Sequence, residues 1–124
     1  MKPDAMDLRV RTKEFALQVV RFSTALPRNM TAAVLGRQLL RSGTSVGANY
    51  REAFRSRSDA EFVAKMGDCL KELEESAYWL ELLAEAPVVP ADQVSGLRSE
   101  CDQLTAIFVT GIKRKKANMG IEVR

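Results

Sequence analysis

At 124 residues and a net charge of +3, the chain has the size of one domain and enough length to bury a single core. It contains no His, which removes the usual general base near neutral pH and the His-based metal sites, and its two Cys are too few for a Cys-only zinc site. No continuous apolar stretch has the length of a signal peptide core or a membrane span, so the sequence predicts a cytoplasmic protein without a membrane partner.

Four segments carry a helical period. The first helix is expected over about 7–25, with Leu8, Phe15, Val19, Phe22 and Leu26 as its apolar stripe and Pro27 as its stop. The second is expected over about 31–57, with Thr31 as its N-cap and Leu35, Leu39, Val46, Tyr50 and Ala53 on its apolar side. Ser58 followed by Glu61 has capping-box spacing and opens a third helix over about 59–85, with Phe62, Met66, Cys69, Leu73, Ala77, Leu80 and Ala84 inward. The segment APVVPA forces a loop. A fourth helix over about 91–117 then aligns Val94, Leu97, Cys101, Leu104, Phe108 and Ile112 before a short flexible tail. There is no strand alternation or internal repeat, and short connections between amphipathic helices predict an all-α, antiparallel up-down-up-down four-helix bundle forming one domain. Cys69 and Cys101 lack CxxC spacing and are read as small core residues, in keeping with a reducing compartment.

The stretch LLRSGTSVGANYREAFR places weak helix formers in the middle of the second helix. At about 100° per residue, Gln38, Ser42, Ser45, Asn49 and Glu52 fall on one stripe beside the apolar one, so the segment is helical with a polar seam. Buried polar groups need partners. The seam therefore either fixes register across the bundle or lines a ligand pocket. Gly43 and Gly47 fall elsewhere, where a missing side chain lets a second backbone approach. No spacing singles out a catalytic pair, and the chain reads as a non-enzyme with no catalytic residue, metal or cofactor.

Charge is segregated by helix: residues 37–57 carry five Arg against Glu52, while 59–85 carry eight acids against Lys65 and Lys71. Opposite fields on neighbouring helices suit subunit assembly, or a basic surface for phosphates. Arg37, Arg41, Arg51 and Arg55 lie within about 80° of one another at helical pitch and form a candidate nucleic-acid surface, extended by Lys113, Arg114, Lys115 and Lys116. The competing reading is a solvated face paired with nearby acids, with the last-turn cations answering the helix dipole. No RNA-recognition signature is present, so RNA or DNA would be held by its backbone. Tyr78, Trp79 and Leu82 point away from the third helix's core stripe and form a candidate oligomer interface, unless a neighbouring helix covers them.

The run QLLRSGTSVGANYREAFRSRSDAEFVAKM, the later LEESAYWLELL, an aromatic-rich first helix ending in Leu-Pro, and the Ser45-x-x-x-Asn49 spacing together resemble the bacterial four helix bundle family of 23S rRNA intervening sequence proteins. Where many members read Asn-Ile-Ala-Glu-Gly, this chain keeps Asn49 and Glu52 and departs at Tyr50, Arg51 and Ala53. The resemblance implies a homopentamer of four-helix bundles with a poorly defined role. Similar accessory proteins of diversity-generating retroelements are pentameric barrels that bind nucleic acid and a protein partner, a reverse transcriptase. What is expected is a homo-oligomeric accessory binding RNA or DNA, or alternatively a structural or protein-interaction scaffold with an unidentified protein partner.

Overall fold

The computed structural model describes residues 8–120. They form four helices: α1 Leu8–Thr24, α2 Met30–Phe54, α3 Asp59–Glu85 and α4 Asp92–Asn118. No strand occurs among the described residues, and the chain is an all-α four-helix bundle. The end of the expected C-terminal tail and the first expected residue of α1 lie outside the described residues.

The helix ends follow local chemistry. The N-cap of α2 is Asn29, not Thr31: Asn29 Oδ1 accepts from the Ala32 N–H at 2.8 Å, which places Thr31 inside the first turn. At its other end α2 stops at Phe54, short of the expected 57. The Arg55 and Ser56 N–H groups turn back to the Glu52 and Ala53 carbonyls, closing the helix in a tight turn. Ser58 caps α3 as its spacing predicts, accepting from the Glu61 N–H at 3.1 Å. The Glu61 carboxylate closes the box one residue further out, taking the Arg57 N–H at 3.0 Å.

Apolar side chains of all four helices and of Val89 in the α3–α4 loop merge into one cluster. Its largest fully buried members include Phe15, Leu39, Leu73, Leu80, Leu104 and Phe108. Contacts pair rising residue numbers on one helix with falling numbers on the next. Gly36, Gly43 and Gly47 meet Leu26, Val19 and Thr12; Arg41 and Glu52 meet Glu75 and Lys65; Asp59 and Leu73 meet Lys115 and Cys101. α1 closes on α4 through Arg11, whose guanidinium donates to Glu100 at 2.9 and 3.0 Å and to Gln103 at 2.9 Å. Among the described residues no helix is long and apolar enough to cross a membrane.

Both thiols are buried core groups, and burial pushes each up to about 12. Cys101 Sγ donates to the Leu73 carbonyl at 3.3 Å, tying α4 to α3.

Candidate nucleic-acid interface

The three Arg of α2 and its C-cap Arg55 occupy three different settings. Arg41 turns toward α3, where its guanidinium meets the Glu75 carboxylate at 3.2 Å. Arg37 sits beside a groove at the α1–α2 turn. Arg51 and Arg55 join Arg9 and Lys13 of α1 around a groove of about 540 Å³, together with Val10, Glu14 and Phe54. A hollow of about 270 Å³ continues from it between the two helices, sharing Arg9, Lys13 and Arg51 and bordered by Ala16, Thr44, Gly47 and Ala48.

This basic groove follows from local packing. Gly47 faces Thr12, and an added Cβ would stand 3.3 Å from Thr12 Oγ1, so α1 and α2 approach closely at its base. Lys13 lies one turn from Arg9, and Arg55 one turn from Arg51, so two i, i+4 pairs border one trough. The Arg9 guanidinium lies 4.1 Å from the centre of the Phe54 ring, a cation–π contact of about 0.5–1 kcal/mol at an exposed site. The ring itself is 54% exposed. Glu14 is the one acid lining the groove, which leaves it strongly positive.

The basic run on α4 is divided. Lys113 and Arg114 are exposed, and Lys116 is half-buried. Lys115 pairs with Asp59 at 3.0 Å and lies 5.3 Å from the Phe62 ring centre. This pair sets a cation in the last turn of α4 against an acid in the first turn of α3, each at the end its helix dipole favours.

The polar seam turns toward α3 of the same chain. Ser42 is fully buried and shares a 2.8 Å hydrogen bond with Ser76, also fully buried. The Ser45 hydroxyl donates back to the Arg41 carbonyl at 2.6 Å, and Glu52 pairs with Lys65 at 2.6 Å at the surface. Gln38 and Asn49 are half-buried. Neither Asn49 nor Glu52 lines the basic groove, its extension or the groove at the α1–α2 turn. Beside the seam, Glu72 Oε1 is buried with no hydrogen-bond partner. Burial raises this carboxyl above its ordinary range, neighbouring Glu75 adds to the shift, and Arg41 opposes it.

Of the three candidate interface residues, Tyr78 is 52% exposed while Trp79 and Leu82 are half-buried. The Tyr78 and Trp79 rings meet edge-on at 5.2 Å, and Trp79 packs against the core with its indole N–H unpartnered. Sequence reasoning missed Arg9, Lys13, Phe54 and the Ser76 partner of the seam. The available signal was the match of two i, i+4 basic pairs, Arg9/Lys13 on α1 and Arg51/Arg55 at the end of α2, and Ser76 as the one hydroxyl in the apolar register of α3.

A comparison with curated proteins finds no match. The crystal structure of a protein with unknown function from the S23 ribosomal protein family, from Bacteroides thetaiotaomicron VPI-5482, is similar to the chain. The TM-score is 0.82 at 33% sequence identity, covering 89% of this chain and 98% of that one. The family model for the 23S rRNA-intervening sequence protein matches residues 5–110. The chain belongs to the 23S rRNA-intervening sequence protein family.

Proposed function

We propose that this chain is a non-enzymatic, self-associating accessory of the bacterial cytoplasm, a homopentamer by its family resemblance, that binds RNA or DNA through phosphate contacts at the α1–α2 groove. One observation carries the reading: Arg9, Lys13, Arg51 and Arg55 converge on a single trough with Glu14 as its one lining acid. Carboxylate partners elsewhere occupy Arg41 and Lys115, so this groove is where uncompensated positive charge accumulates. Neutralised phosphates release counterions, so the affinity depends steeply on salt. With four cations, the log–log salt slope on duplex is up to about 4 per groove.

The test is a fluorescence anisotropy titration of the full chain with labelled RNA and duplex DNA at low and near-physiological salt. Arg51→Glu/Arg55→Glu abolishes binding with the assembly mass unchanged, whereas Arg41→Ala, which removes a cation already paired with Glu75, changes the affinity less than twofold. No binding by the wild type at low salt overturns the proposal. The alternative is then a structural or protein-interaction scaffold, a reading favoured by the Arg41–Glu75 and Lys115–Asp59 pairs that consume basic charge within the subunit.

A further inference from the structure

We infer that the groove at the α1–α2 turn receives Tyr78 of a second copy of this chain, forming a head-to-tail interface; the inference rests on the self-association proposed above. The groove holds about 680 Å³ and is walled largely by apolar groups, among them Leu26, Pro27, Met30, Ala33 and Leu40. Met30 is 81% exposed, apolar area whose removal from water by a partner is favourable. At the base, a Cβ on Gly36 would stand 2.7 Å from Leu26 Cδ1, so glycine here lets Leu26 lie flat against α2. The charged residues lining the groove are Arg28 and Arg37, with no acid among them.

Tyr78 presents the complementary surface. Among the described residues it is the one exposed large apolar side chain on α3 and α4. Exposed Glu74 and Glu81 lie one turn to either side of it, and exposed Glu85 one turn beyond; Lys71 is the single base on that edge of the helix. An apolar projection ringed by carboxylates thus matches an apolar groove edged by guanidinium groups. Tyr brings a large rigid area with a polar tip, which is why it is favoured at interfaces. Ser23 also lines the groove, and its hydroxyl oxygen is buried there with no hydrogen-bond partner within the chain.

Tyr78 does not line the groove of its own chain, so the occupant comes from another copy. Donor and acceptor patches differ, which makes the contact heterologous: each subunit gives Tyr78 to one neighbour and receives Tyr78 from another. Such contacts close into rings when the rotation allows it. The basic groove at the opposite end of the α1–α2 pair is left open, so assembly and nucleic-acid binding use separate surfaces.

The experiment measures mass by light scattering for the full chain and four variants, with helix content checked by circular dichroism. Arg28→Glu/Arg37→Glu, Glu74→Arg/Glu81→Arg and Tyr78→Ala each raise the subunit dissociation constant at least tenfold. The four charge reversals combined in one chain restore the wild-type mass. A 1:1 mixture of the two reversed variants also regains association, because alternating subunits pair opposite charges; a five-membered ring keeps one like-charged junction, so the mixture forms open chains or even-numbered assemblies rather than the wild-type mass. An oligomeric wild type whose mass is unmoved by all three changes overturns the interface and leaves self-association standing. A monomeric wild type overturns both.

Discussion

The two halves of the bundle use glycine in opposite ways. In the α1–α2 half, a Cβ added at Gly36, Gly43 or Gly47 would meet Leu26 at 2.7 Å, Val19 at 2.8 Å or Thr12 at 3.3 Å. In the α3–α4 half, Gly67 and Gly96 have nothing within 4 Å and a Cβ on Gly111 would meet only the flexible end of Met66, at 3.3 Å; buried Cys69, Leu73, Cys101 and Phe108 fill this side of the core. The surfaces differ in the same sense. Val10, Leu17, Val20, Met30, Val34, Leu40 and Phe54 are the exposed large apolar residues of α1 and α2, against Tyr78 alone for the described part of α3 and α4. A helix pair held by backbone proximity places small residues at its contact and leaves larger ones facing outward. Both halves give large side chains to the one core, Phe15 and Leu39 from α1 and α2, Leu73 and Phe108 from α3 and α4, while the α1–α2 half, whose backbones close on each other at glycine, carries most of the exposed large apolar surface.

Breaking the core from its α3–α4 side gives the largest effect. Phe108 is fully buried and meets Tyr50 edge-to-face at 5.8 Å. Phe108→Ala is expected to cost roughly 3–5 kcal/mol, read from the urea midpoint. A loss under about 1 kcal/mol would show a core able to collapse around the vacancy, against the packing described here.

Gly43→Ala tests the other half. Alanine gains about 1 kcal/mol of helix propensity, but its Cβ would stand 2.8, 2.9 and 3.2 Å from three Val19 atoms, one of them the branch carbon itself. Overpacking typically costs about 1–3 kcal/mol, so the net change is a destabilisation of about 1 kcal/mol. Val19→Ala relieves the clash, and the two substitutions together cost less than the sum of the singles. Gly96→Ala, on an exposed helix position with open space, is expected to raise stability by up to about 1 kcal/mol. Equal effects at positions 43 and 96 would erase the distinction between the halves.

Much of this fold was legible because its signals are local. Pro27, the Ser58/Glu61 pair and the two Pro of the α3–α4 loop mark helix ends by removing donors or capping them, and most of the expected apolar stripes of α3 and α4 are buried, with Phe62, Ala77 and Ile112 partly buried against the core and Leu83 buried outside the expected stripe. The close approach at Gly43 and Gly47 was readable from their position off the polar seam. Choosing Asn29 over Thr31 as a cap was not: both accept hydrogen bonds, and the backbone path out of Pro27 decides between them. The candidate site was legible only in part, because a groove depends on how two helices are rotated against each other. Periodicity places Arg51 and Arg55 on one side of α2, but their meeting with Arg9 and Lys13, and the turning of Arg41 toward Glu75, are set by the α1–α2 and α2–α3 contacts.

The thiols give the smallest effect at neutral pH and the cleanest mark of the α3–α4 half, since both lie there. In the folded chain burial holds each at about 12, against an ordinary value of 9.0. Below that ordinary value both states keep the proton, so the thiols add no pH dependence. Between about 9 and 12 the unfolded chain loses protons that the folded chain retains, so stability falls as pH rises through this window. The urea midpoint, normalised to its value at pH 7, therefore declines above pH 9 more steeply in the wild type than in Cys69→Ala/Cys101→Ala. The other titratable groups are common to both proteins; of these, Tyr50 is raised by burial and further by Cys69, so the variant removes that second contribution and the difference keeps the same sign. Identical alkaline limbs would mean that the thiols reach water in the folded chain, and rapid native-state reaction with a thiol reagent would then accompany them. Slow labelling that tracks global unfolding is the result the buried Cys101–Leu73 contact requires.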